Sequence, residues 1–230
     1  MSRSPVVLGL DASTGACSVA LAIGDEVRGH LRREAKGQAG RLLRLADALL
    51  AEAGLARTAL DAVACTRGPG GFTGVRIGIG VAQGLALGLD RPAVALSTLQ
   101  VVAETARARA PDAGGILALL DARMGEIYGG VYRHAAAAPG SSVALEPEWL
   151  GPPLPRDLPA GVWYGAGSGF AAYPALAGMA GLAGVIGDCL PDMAAAMPLA
   201  RRRLEAGASV AAAELEPLYL RNRVADPPAS

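Results

Sequence analysis

The chain has 230 residues, is 52% hydrophobic but only 4% aromatic, and balances 21 Lys and Arg against 21 Asp and Glu. That length supports one large or two small domains with a real core, packed from Ala, Val and Leu rather than from rings. Zero net charge argues against a protein that grips a nucleic-acid backbone on its own. Cys17, Cys65 and Cys189 are odd in number and far apart among apolar residues, which excludes a disulfide framework or zinc site and suits a reducing cytosol. Met-Ser-Arg-Ser-Pro opens the sequence, and the apolar run after it is too short for a signal peptide, so a cytoplasmic location is expected.

In chain order, the apolar run 6–10 predicts a central strand, Asp11-Ala-Ser-Thr-Gly15 a turn, 16–23 a returning strand and 27–32 a third. Over 41–53, Leu42, Leu45, Ala46 and Leu49 share one face opposite Arg44 and Ala51, an amphipathic helix closed by Gly54. Residues 61–66 form a short buried strand that feeds a glycine stretch, Arg67-Gly-Pro-Gly-Gly-Phe-Thr-Gly-Val-Arg-Ile-Gly-Ile-Gly-Val-Ala-Gln-Gly-Leu-Ala-Leu-Gly88. A Gly-Pro turn opens it, Thr73 is the expected N-cap, and no proline follows before Pro92.

On a helical wheel Ile77, Gly80, Gly84 and Gly88 share one face, Val81, Leu85 and Leu89 the next, and Arg76 with Gln83 makes a narrow polar edge. A helix apolar nearly all round is expected to be buried nearly all round. Its five internal glycines, Gly74 to Gly88, each cost about 0.5–1 kcal/mol against Ala. Close approach of another backbone would offset that cost. The helix lies either beneath a sheet or shared between a core and a partner subunit; with Arg76 and Gln83 inside it, a membrane span is not expected. Residues 93–96 then make a strand, and Ser97 caps a helix to about Arg109.

The second half echoes the first. The segment 116–132 repeats the pattern of 8–22 at an offset of 110 residues: an apolar strand, Leu-Asp-Ala, a glycine four positions after the Asp, and an alternating return. Tyr164-Gly-Ala-Gly-Ser-Gly-Phe170 likewise echoes Arg67-Gly-Pro-Gly-Gly-Phe72. Two matched pairs in the same order indicate a duplicated hairpin–helix unit. The proline-rich segment 146–159 reads as a surface loop or lid, 191–206 as a helix with Arg201 to Arg203 at a solvated C-terminal end, and 226–230 as a disordered tail.

Two strand–Asp–turn–strand hairpins facing across a cleft can hold ATP, their amides and hydroxyls receiving phosphates and their aspartates organising a metal and water. Asp11, Ser13, Thr14 and Gly15 fit a first phosphate loop; Asp121 opens the second, where Arg123 and Met124 replace Ser13 and Thr14. Gly165 and Gly167 are candidate adenosine contacts. The alternative for Asp11 and Asp121 is that each caps its own turn. His30 and His134, the only histidines, stand without a second ligand at metal spacing, and there is neither a Gly-x-Ser-x-Gly elbow with a matched His nor a Walker loop. No metal site is expected. One candidate function is an ATP-dependent kinase or hydrolase; a glycopeptidase suits the two histidines less.

Leu10-Asp-Ala-Ser-Thr-Gly-Ala-Cys-Ser-Val-Ala-Leu21, the glycine stretch, Ser97-Thr-Leu99, Asp121-Ala-Arg-Met-Gly-Glu-Ile-Tyr128 and Pro217-Leu-Tyr-Leu-Arg-Asn222 together resemble the bacterial TsaB (YeaZ) family, in order across nearly the whole chain. The resemblance implies an actin-like (ASKHA) α/β fold of two ribonuclease-H-like lobes, 1–100 and 101–211, with 212–230 packing back on the first. It implies a non-catalytic subunit of the machinery that installs threonylcarbamoyladenosine beside the anticodon of tRNAs reading codons that begin with A. In that family the paralogue TsaD performs the transfer and the ATPase TsaE joins the complex, so no catalytic residue is carried over. Alone, such a subunit is expected to be a homodimer, to meet tRNA only through the complex and to bind no cofactor tightly, with weak ATP or ADP at a complex interface. The partner face would comprise Gly74, Ile77, Gly80, Val81, Gly84 and Gly88 with Leu42, Leu45 and Leu49. Many members carry Glu-His before the first long helix; here Gly37 and Gln38 stand there.

Overall fold

The structure, a computed structural model, describes residues 4–33, 37–134, 140 and 142–221; Asn222 and the tail 226–230 lie outside the described residues. The chain runs β1 (Val6–Asp11), β2 (Ala16–Ile23), β3 (Glu26–Arg33), α1 (Gln38–Glu52), β4 (Ala62–Thr66), α2 (Phe72–Leu89), β5 (Ala93–Leu96) and α3 (Thr98–Arg109). It continues β6 (Gly115–Arg123), β7 (Glu126–His134), β8 (Ser142–Ala144), β9 (Trp149–Gly151), β10 (Trp163–Ala166), α4 (Ser168–Ala172), β11 (Leu182–Ile186) and α5 (Met193–Glu205).

The duplication is visible in the pairing. One sheet has the order β3-β2-β1-β4-β5 and the other β8-β7-β6-β10-β11, with β9 also on β7. In each, two antiparallel neighbours are followed by two parallel ones, so β1 corresponds to β6, β2 to β7 and β4 to β10. The strands of the first hairpin read as continuous apolar runs because both faces are covered. Val6, Leu8 and Leu10 pack under α1 and α2, while Val7, Ala20 and Ala22 pack under α5. In the second sheet α3 covers Ile116, Ala118 and Leu120, and Phe170 of α4 covers Leu117 and Leu119.

The lobes trade helices. The helix after β5 packs on the second sheet, the helix after β11 packs on the first, and the two pack on each other. The expected division, with only 212–230 returning, therefore changes: the chain is back on the first sheet from Met193. The return occurs there because β1 carries Gly9, where a methyl group would stand 2.6 Å from the Met197 sulfur and 2.7 Å from Met193 Cε, so the small position receives the methionine face of α5. Past α5, Val210 bridges Ala93 and the turn Ala212–Glu214 rests on α2.

Four local expectations are corrected. Arg201 to Arg203 is not a solvated end, because Arg201 reaches the Gly24 carbonyl and Asp25, and Arg203 reaches the Ala95 carbonyl and Gln100 Oε1 at 2.6 Å, leaving Arg202 exposed. The segment 146–159 contributes β9 to the second sheet, and an Arg156–Glu146 ion pair at 2.6 Å folds it on itself, so it is not a free lid. Helix α2 begins at Phe72 with Gly71 as N-cap and no side-chain cap, which puts Thr73 inside the first turn. Nor is α2 buried all round: Gly74, Val75, Gly78, Ile79, Ala82 and Ala86 face the sheet, while Gly80, Gly84, Leu87 and Gly88 are exposed.

The glycines of α2 thus divide by face. A methyl on Gly74 would collide with the Ala12 carbonyl oxygen, whereas at Gly80, Gly84 and Gly88 no atom beyond the helix's own neighbouring turns lies within 4 Å of the added carbon among the described residues. Gly74→Ala is therefore expected to destabilise the monomer by about 1–3 kcal/mol through overpacking. Gly84→Ala should stabilise it by about 0.5–1 kcal/mol through helix propensity. Urea denaturation of the two variants against the parent measures both signs.

Candidate functional site

A cleft of about 1290 Å³ lies between the lobes. Its first wall is the β1–β2 turn. Asp11, fully buried at the end of β1, accepts from Ser13 N–H at 3.2 Å, Ser13 Oγ at 2.5 Å and Thr66 Oγ1 at 2.5 Å. The bond to Ser13 N–H is the Asx turn offered by the sequence. Asp11 Oδ2 and Thr14 Oγ1 are buried with no hydrogen-bond partner among the described residues. Burial pushes the Asp11 carboxyl up to about 6 despite the hydroxyls of Ser13 and Thr66, and the nearby charge of Asp192 adds to the rise.

The glycine turn is seated on this loop. Gly71 N–H donates to the Ser13 carbonyl at 2.7 Å, a side chain at Gly70 would strike the same carbonyl, and Gly68–Pro69 is a cis peptide. Gln38, half of the pair that departs from the family's Glu-His, is buried at the start of α1, where its Nε2 donates to the Thr14 carbonyl at 3.2 Å. The sequence named that residue only as a departure. Its role in holding the loop follows from the packing of α1 beside α2.

The second wall is the β6–β7 turn, and it is built differently. Asp121 Oδ1 accepts from Arg123 N–H at 2.9 Å, again an Asx turn, and Oδ2 pairs with the Arg123 guanidinium at 3.1 Å. Arg123, Met124 and Gly125 all have positive φ, 62°, 56° and 76°, closing a tight hairpin in which Met124 is 76% exposed. This wall presents a thioether, an ion-paired carboxylate and the exposed Arg123 guanidinium to the cleft, where the first wall presents the Ser13–Thr14–Gly15 loop.

Ser13, Thr14 and Gly15 on one side and Asp121 on the other do line one cleft, with Asp11 beneath the surface. Gly165 and Gly167 do not line it. Gly165 has no room for a side chain because the Phe170 ring lies on it, and Gly167, with φ 102°, is pressed on the Leu119 carbonyl, so both are packing glycines. The predicted partner face also divides: Leu42, Leu49 and Gly74 belong to the core, Ile77, Val81 and Leu45 are partly buried at its edge, and Gly80, Gly84 and Gly88 are exposed. Gly74 enters this face through the family's partner surface and not through the wheel, which puts only Ile77, Gly80, Gly84 and Gly88 together.

At the mouth, Phe72 and Tyr219 are both about half exposed with ring centroids 6.3 Å apart, and the Arg76 guanidinium lies 3.4 Å over Phe72. Tyr219 arrives on the stretch 215–221, a contact the sequence signalled only through its Pro-Leu-Tyr-Leu-Arg string. Among the described residues no three His, Cys, Asp or Glu side chains converge. Helix α2 has the length and hydropathy of a membrane span, but its inner face is committed to the sheet.

Two duplicated sheets, each opened by an Asp-ended hairpin and facing one cleft, define the actin-like, ribonuclease-H-like class. The family model described as "TsaD: tRNA N6-adenosine threonylcarbamoyltransferase" matches residues 33–146. The tRNA threonylcarbamoyladenosine biosynthesis protein TsaB of Escherichia coli (strain K12) is 38% identical over 224 residues, covering 95% of this chain and 96% of its own. A solved structure titled YeaZ from Pseudomonas aeruginosa has a TM-score of 0.86 at 37% identity, covering 94% of this chain and 100% of its own. A tRNA N6-adenosine threonylcarbamoyltransferase of Nitratidesulfovibrio vulgaris (strain DP4) is 51% identical over 55 residues, 24% of this chain and 15% of its own. The chain belongs to the TsaB (YeaZ) family.

A raised Asp11 value has a definite sign in stability. The folded state keeps the proton up to about pH 6, whereas the unfolded chain releases it near 3.8. This group's contribution is therefore fully present below about pH 4 and is lost as the pH rises through about 6, a change of about 3 kcal/mol for a two-unit shift. Urea denaturation of the parent and Asp11→Asn between pH 4 and pH 7 should show that component in the parent and not in the variant.

Proposed function

We propose that this chain serves tRNA threonylcarbamoyladenosine biosynthesis in the cytosol as a subunit without catalytic chemistry of its own, binding a TsaD-type threonylcarbamoyltransferase through the outer face of α2. The observation that carries this reading is the exposed stripe Gly80, Gly84 and Gly88, flanked by Ile77 and Leu87 on a helix whose other face is spent on the core. A stripe without side chains lets a second helix approach to backbone contact. Family membership names the machinery to which that helix belongs.

The absence of own chemistry is supported by the second hairpin, where Arg123 neutralises Asp121 and Met124 stands in the place of a donor. In this proposal weak ATP or ADP affinity belongs to the complex interface, a TsaE-type ATPase joins there, tRNA is met only through the assembly, and the isolated chain pairs with itself through the same face. Homodimer and TsaD complex then compete for α2.

A standard interface buries roughly 800 Å² per partner. Apolar area stabilises by roughly 25 cal/mol per Å² before association costs are subtracted. A bulky group at the centre of a face built for close approach can cancel most of the net affinity. Gly84→Leu should abolish both the homodimer in sedimentation and capture of a TsaD-type protein, while the monomer stays folded with a denaturation midpoint no lower than the parent's. An unchanged dimer and unchanged capture, or tRNA modification by the chain alone, would refute the reading.

A further inference from the structure

The stretch 215–221 forms no helix or strand, yet it is anchored at both ends to different lobes. On the first lobe Gln83 Nε2 of α2 donates to the Leu215 carbonyl at 3.2 Å, Leu218 N–H donates to the Arg67 carbonyl at 2.8 Å, and Tyr219 joins Phe72 and Arg76. On the second lobe Arg221 pairs with Glu126 at 2.7 Å, donates to the Ala122 carbonyl at 3.1 Å and touches the Met124 sulfur at 3.4 Å. All three contacts are with the β6–β7 hairpin. The ion pair is largely withdrawn from solvent, with the Arg221 and Glu126 side chains 17% and 32% exposed, so it is screened less than a surface pair.

We propose that 215–221 is a strap that latches the β6–β7 hairpin to α2 and so fixes the opening of the interlobe cleft, with Arg221 as its fastening. The chain passes between the lobes from β5 into α3 and from β11 into α5, and these two helices pack on each other. The strap adds a further non-covalent tie on the opposite side from the α3–α5 packing, and it lies in the cleft itself, where Leu218, Tyr219 and Arg221 are part of the lining. Arg suits the fastening because its planar fork serves a carboxylate and a backbone carbonyl at once, which an ammonium cannot do in fixed geometry. The strap is rooted on the helix whose outer face is exposed, so lobe spacing and that helix are held as one body. This inference is independent of which partner uses the outer face.

Hydrogen exchange followed by mass spectrometry on the full chain tests the latch. Arg221→Ala is expected to speed exchange of the amides of 120–128 by about fivefold or more, as loss of a partly buried charge-assisted contact permits local opening, and to leave β4 unchanged. Glu126→Gln should reproduce the effect, and the double variant should add nothing to either single one. Spin labels on Ala48→Cys and Ala160→Cys, exposed positions on opposite lobes, report the spacing, since the native cysteines are buried. Their distance distribution should broaden in Arg221→Ala while the denaturation midpoint stays within error of the parent. Unchanged exchange in both single variants, additive effects in the double one, or an unchanged distance distribution would overturn the strap.

Discussion

The architecture depends on how closely α2 is seated on the first hairpin. Gly74 rests against the Ala12 carbonyl, Gly70 against that of Ser13, and the Gly71 N–H closes the contact with a 2.7 Å hydrogen bond. No residue with a Cβ could take the place of Gly70 or Gly74 without pushing the helix off the turn. The seat fixes the direction in which α2 leaves β4, and with it which residues point inward and which outward. It also buries Asp11 so completely that only hydroxyls and one amide reach its first oxygen. The β1–β2 loop serves as a bearing for a helix.

The two halves show the same unit under different pressure. In the first, the turn after Asp11 is broad and carries hydroxyls; in the second, three successive left-handed residues draw the hairpin tight and Arg123 folds back on Asp121. The helix after the glycine turn has 18 residues in the first half and 5 in the second. A long helix offers a face beyond the core, whereas a single turn offers none. Duplication followed by such divergence leaves a lopsided molecule, with an outward-looking helix on one lobe and a self-satisfied hairpin on the other.

Much of this was legible in the residues. The strands 6–10 and 16–23, the Asx turns at Asp11 and Asp121 and the Ser97 cap of α3 were readable because period, turn chemistry and capping are local properties. What escaped was decided by contacts distant in sequence. Composition could not separate Gly74 from Gly84, since both sit on an apolar helix and only the position of the β1–β2 turn tells them apart. Gly165 and Gly167 looked like a nucleotide loop because ligand approach and side-chain packing ask for the same residue. Gln38, Arg203 and Arg221 act on backbone carbonyls, which leave no mark in a sequence.

The exchange of helices between lobes bears on how the protein is made. The second face of the first sheet, with Val7, Ala20, Ala64 and Val94, is closed by Met193, Ala196 and Met197. At a synthesis rate of about 5–20 residues per second, the ribosome needs roughly 5–20 s to travel from β5 to α5. For that interval the nascent first lobe carries an uncovered apolar flank, shielded only by whatever attends the tunnel exit.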